Sequence, residues 1–94
     1  MRVVWTPQAK GDLRSIGLHI AWDSSRAAVA VVRRIRRSAA VLRDHPGFGR
    51  PGRIVGSREL VVPRTPYLVP YRIRDDRVEI LAVLHAAREW PDTL

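Results

Sequence analysis

The chain has 94 residues, 46% of them apolar and none cysteine. That is enough for the core of one small domain over 1–94, too apolar for a disordered tail, and it excludes disulfides and thiolate metal sites. Seventeen basic residues against nine acidic ones give a net charge of +8 and a pI of about 11.5, which favours nucleic acid, a ribosome or an acidic protein as partner.

Arg2 to Trp5 is a short apolar run that fits a first strand. Thr6 and Pro7 follow as a hydroxyl N-cap and a first-turn proline. Ala9, Leu13, Ile16 and Ile20 then recur at helical spacing, with Asp12, Arg14 and His19 off that stripe. Asp23-Ser24-Ser25 interrupts the pattern and supplies a second cap. A longer helix carries Ala28, Val31, Val32, Ile35, Ala39 and Leu42 on one side, bordered by Arg33, Arg34, Arg36, Arg37 and Arg43, and His45-Pro46-Gly47 stops it. The short connection predicts an antiparallel helical hairpin.

Residues 46–57 hold four of the six glycines and two prolines, the composition of a loop with unusual backbone demands, and include Arg50 and Arg53. Three strand-like runs follow: Arg58 to Val62, Leu68 to Arg74, and Arg77 to His85. Pro70 argues for an edge position or a bulge in the second. Asp75-Asp76 makes a tight connection to the third, whose two alternating sets are both apolar, as in a central strand. The fold class read from this order is α+β, β-α-α-β-β-β, with a helical hairpin on one face of a mostly antiparallel sheet. No run approaches the roughly 20 apolar residues of a membrane span, and the N-terminal stretch lacks a cleavable leader pattern. A soluble, cytoplasmic protein without a membrane partner is the expectation.

Sixteen of the seventeen basic residues are arginine, whose planar fork binds phosphate and carboxylate through paired hydrogen bonds. With Tyr71 and Ile73 facing the helices, Arg72 and Arg74 share the opposite face. Arg58 begins the neighbouring strand, beside Arg50 and Arg53. These arginines either line one basic surface able to hold RNA phosphates and stabilise a phosphorane-like transition state, or are solvated surface charges. His85 is a candidate general acid or base, or a structural hydrogen-bonder at a strand end. Glu59 is a candidate base or an ion-pair partner of Arg58. Trp90 would stack on a base or pack over the sheet end. His19 and His45 show no metal-ligand spacing, and no metal or other cofactor is expected.

Taken together, Val4-Trp5-Thr6-Pro7-Gln8-Ala9 with Asp12-Leu13 and Ile16, Pro46-Gly47-Phe48-Gly49-Arg50-Pro51-Gly52, Ser57-Arg58-Glu59-Leu60-Val61-Val62, Pro66-Tyr67-Leu68-Val69-Pro70-Tyr71-Arg72-Ile73 and Val78 to His85 form an ordered pattern. It resembles the RelE/ParE superfamily of toxins over nearly the whole chain. The resemblance implies a growth-inhibiting toxin of a type II toxin–antitoxin module, silenced by a cognate antitoxin whose extended, acidic segment wraps it. RelE-like members cut mRNA in the ribosome; ParE-like members poison DNA gyrase. The leading expectation is ribosome-dependent, metal-independent mRNA cleavage by an endoribonuclease. In it Arg58, Arg72, His85 and Glu59 are catalytic, and Arg50, Arg53, Arg74, Arg88 and Trp90 bind RNA. Arg58 matches a strand arginine of those nucleases. The position of the catalytic glutamate in the YoeB-like nucleases falls closest to Gly52, and the Val83-Leu84-His85 ending is more like ParE. The alternatives are a non-enzymatic inhibitor of gyrase, and a degenerate toxin acting only in a repressor complex with its antitoxin.

Overall fold

The computed structural model describes residues 1–87. β1 (Arg2–Trp5) leads into α1 (Pro7–Ala21), and the Trp22-Asp23-Ser24 turn into α2 (Ser25–Val41). Thr6 caps α1 by accepting the Ala9 N–H, and Ser24 caps α2 by accepting the Ala27 N–H, so both sequence-read caps fall where the hydroxyls stand. After the loop come β2 (Arg50–Pro51), β3 (Arg58–Val61), β4 (Tyr67–Arg74), β5 (Arg77–Ile80) and β6 (Leu84–His85). They form one sheet in the order β1-β5-β4-β3-β2, with β6 paired to β4. All pairings are antiparallel except β1 with β5.

Both helices cover one face of the sheet. Ala9 and Leu13 of α1 and Ile35, Ala39 and Leu42 from α2 and its C-cap join Leu60, Tyr67, Val69, Tyr71, Val78 and Ile80 in a single core. The i, i+2 alternation of strands makes this set the inner face and sends Arg72, Arg74 and Glu79 to the outer one. The β4–β5 connection is a two-residue turn in which Asp75 and Asp76 both take positive φ, 52° and 58°. That matches the twist of the flanking strands and pairs Arg74 with Arg77.

Two details depart from the strand reading. The loop contributes its own short strand, β2. The last apolar run is not continuous: Tyr71 pairs with Ile80 and Leu68 with Leu84. Two residues of β4 therefore face three, Leu81, Ala82 and Val83, in a bulge. Pro70 sits opposite this bulge, inside the sheet and not at its edge. Its carbonyl accepts the Leu81 N–H at 2.9 Å, and a bulge is a position where a sheet tolerates a residue without an N–H donor.

Candidate functional site

The loop between α2 and β3 is built on two buried polar side chains. The Tyr71 hydroxyl, at the end of a fully buried side chain, donates to the Pro46 carbonyl at 2.7 Å and accepts the Gly49 N–H at 2.8 Å. Burial pushes its phenol above the ordinary value of 10.0, against the opposing pull of the Gly49 N–H and the Arg58 charge. It therefore keeps the proton with which it donates. A side chain at Gly49 would lie 2.6 Å from the Tyr71 ring, so the close approach requires glycine. Glu59 is only 3% exposed. One of its oxygens takes Arg50 Nη2 at 3.3 Å; the other takes the Arg53 backbone N–H at 2.8 Å, with Arg53 Nε at 3.7 Å. Burial of a carboxylate is tolerable only with such pairing. Arg58 donates through Nη1 to the Gly49 carbonyl at 2.7 Å and the Gly47 carbonyl at 3.3 Å.

The sequence-read arginines do not share one surface. Arg58 is the register partner of Tyr71 and lies on the helix side of the sheet. Glu59, Arg50, Arg72 and Arg74 lie on the other side. There Arg72 Nε donates to Glu79 Oε1 at 2.6 Å, and Arg77 Nη2 to Glu79 Oε2 at 3.3 Å. The Arg72 hydrogen bond is the main cause that holds the Glu79 carboxyl below its ordinary value of 4.5. Arg74 is exposed. Glu59 does not pair with Arg58 but with Arg50 and Arg53, a partner set that only the short β2–β3 pairing creates.

His85 is the register partner of Tyr67, and their rings meet edge to face at 5.6 Å and 84°. Its Nδ1 accepts the Ala87 N–H at 3.1 Å. With Tyr67 it lines a hollow of about 420 Å³ whose other wall, on α1, carries Asp12, Ser15 and His19. Asp12, which the sequence placed merely off the apolar stripe, accepts the Val83 N–H at 3.0 Å and Gln8 Nε2 at 2.8 Å. It ties α1 to the bulge. Its spacing from Gln8 was a usable signal; its bond to Val83 was not, because it spans most of the chain. Arg58 and His85 stand on strands flanking opposite sides of β4, about 13 Å apart along it by strand rise. No group of His, Asp and Glu able to hold a metal occurs among the described residues. Arg88 and Trp90 lie outside those residues.

The family model for the ParE toxin of the type II toxin–antitoxin system parDE matches residues 3–90. The chain belongs to the ParE toxin family. The Y4kP protein of Sinorhizobium fredii is 47% identical over 93 residues, spanning 99% of this chain and 96% of that protein. Toxin RelE2 of Caulobacter vibrioides is 36% identical over 87 residues, 93% and 97% of the two chains. A solved structure described as the chromosomal ParDE TA system from P. aeruginosa superposes with a TM-score of 0.83 at 28% identity, covering 90% of this chain and 95% of that one. The toxin is thus of the type II class, and membership implies a ParD-type antitoxin as its partner. Among the described residues no helix is long and apolar enough to cross a membrane.

Proposed function

We propose that this toxin arrests growth by binding DNA gyrase, without catalysis of its own, and that a ParD-type antitoxin neutralises it. The reading rests on the dispersal of the groups that cleavage would need. Metal-free cleavage of RNA through its 2′-hydroxyl calls for a base, an acid and a cation within hydrogen-bond reach of one phosphodiester. Here Arg58 and Arg72 occupy opposite faces of the sheet. Both carboxylate oxygens of Glu59 are engaged by the loop, and His85 sits in a separate hollow. In this reading Arg50, Arg53 and Glu59 shape the loop, Arg58 positions its first half, and Arg72 orders the outer face.

Purified toxin incubated with gyrase and relaxed plasmid tests the reading, with programmed ribosomes run in parallel. Loss of supercoiling or accumulation of cleaved DNA, with ribosome-bound mRNA intact, is the expected result. mRNA cleavage that disappears in Arg58→Ala and Arg72→Ala would instead establish the nuclease, with Arg50 and Arg53 on phosphate and His85 or Glu59 moving protons. Inactivity in both assays, with antitoxin binding retained, would leave the repressor-complex role.

A further inference from the structure

The strand registers place Arg2 opposite Arg77 and Arg77 opposite Arg74. Three guanidinium-bearing positions therefore form one row across β1, β5 and β4. They lie on the outer face, since Val3 and Val78, one residue on, pack into the core. Adjacent strands are about 4.8 Å apart, so the row spans only about 10 Å. Like charges directly opposite on neighbouring strands destabilise a sheet, and the face does little to relieve them. Glu79, the one carboxylate in the next row, is shared by Arg72 and Arg77. Arg77 Nε is shielded from solvent without a hydrogen-bond partner. Among the described residues Arg2 and Arg74 form no ion pair, and Asp75 and Asp76 in the adjoining turn form none with the row. At the β1 edge the band continues into a hollow of about 600 Å³ lined by Met1, Arg2, Val3, Ala40 and Arg43, with no acidic residue in its wall.

We propose that the Arg2–Arg77–Arg74 row, extended by Arg43, is a docking site for the phosphodiester backbone of a nucleic acid strand. Oxyanions spaced along a strand would offset the mutual repulsion of the row. A phosphate backbone fits this face better than an acidic peptide does. Peptide recognition draws its strength from apolar anchors seated in pockets, whereas Val4, half-buried, is the apolar neighbour in the next row. Phosphate contacts need charge and forked donors alone. The site is separate from the candidate groups in the loop and from the His85 hollow, and it does not depend on gyrase being the target.

Fluorescence anisotropy of a labelled single-stranded DNA of about 20 nucleotides, titrated with toxin between roughly 50 and 300 mM NaCl, tests the proposal. Arg2→Gln/Arg74→Gln/Arg77→Gln is compared with Arg26→Gln/Arg33→Gln/Arg37→Gln on α2, which removes the same charge elsewhere. The row variant should bind roughly tenfold or more weakly at low salt, with the salt slope shallower by about 2, at about 0.7 for each phosphate no longer neutralised. The α2 variant should stay near wild type, and an uncharged methylphosphonate strand should not bind the wild type. Arg2→Gln/Arg74→Gln leaves the Arg77–Glu79 pair in place and should show a smaller loss of the same sign, which guards against misfolding of the triple variant. Equal losses in the row and α2 variants, or an unchanged row variant, would overturn the proposal. So would a row variant that keeps oligonucleotide binding but loses a polyglutamate peptide.

Discussion

Single side chains account for the two most demanding local arrangements. Tyr71 holds both ends of the Pro46–Gly49 segment with one hydroxyl. Tyr71→Phe leaves a buried N–H and a buried carbonyl unmet while keeping the ring in the core, a loss expected to cost about 1–3 kcal/mol. Urea unfolding measures it as a fall in midpoint at unchanged slope. Glu79 makes a prediction about pH. Its folded carboxyl titrates below the unfolded value of 4.5, chiefly because Arg72 donates to it. The group therefore contributes stability that is complete above the unfolded pKa and is lost as pH falls through the lower folded value. Arg72→Gln removes the main cause, so the NMR titration midpoint of Glu79 should move upward. The variant should also lose less stability than wild type on acidification below about pH 5. A midpoint unmoved by the substitution would mean that Arg77 alone holds the charge.

At the level of elements, α1 is fastened to the far end of the sheet by its own polar residues. Thr6 accepts the Ala9 N–H and donates to the Ile80 carbonyl at 2.7 Å, and Asp12 accepts the Val83 N–H. Asp12→Ala should therefore cost about 1–2 kcal/mol and raise amide exchange selectively at Val83 and Leu84. Uniform exchange across the sheet would show that the tie is redundant. Helices, caps and the helical hairpin were legible in the sequence because their signals are local. Ala9, Leu13 and Ile16 repeat within a few turns, and the Thr6 and Ser24 hydroxyls cap within three residues. Pro70 pointed to an edge position or a bulge in its own strand, but β4 is central and unbroken and the bulge belongs to the strand opposite, which a single run of β-formers such as Arg77 to His85 cannot reveal. The candidate site was read less well for the same reason. Alternation along β4 correctly separates Arg72 from Tyr71. The face of Arg58 depends on a register with β4 set by contacts far apart in sequence, and that register places it beside Tyr71.

On the scale of the whole molecule, charge is the dominant imbalance. Seventeen cations against nine anions leave eight positive charges uncompensated. The ion pairs among described residues centre on just two carboxylates, Glu59 and Glu79. Arginines crowd α2 on one side and the Arg2–Arg77–Arg74 row on the other, so repulsion acts across most of the surface of the folded state and less in the extended chain. Screening by salt weakens both attractive and repulsive terms between exposed charges, and the sign of the net effect shows which dominates. Because repulsive pairs outnumber attractive ones, raising NaCl from about 20 to about 300 mM should raise the melting temperature by about 2–4 °C, close to half a kcal/mol for a domain of this size. The Arg2→Gln/Arg74→Gln/Arg77→Gln variant should start higher at low salt and gain less. A melting temperature that falls with salt would mean that the Glu59 and Glu79 networks outweigh the excess charge. The toxin would then be stable alone for reasons of local pairing, with little to gain electrostatically from an acidic antitoxin.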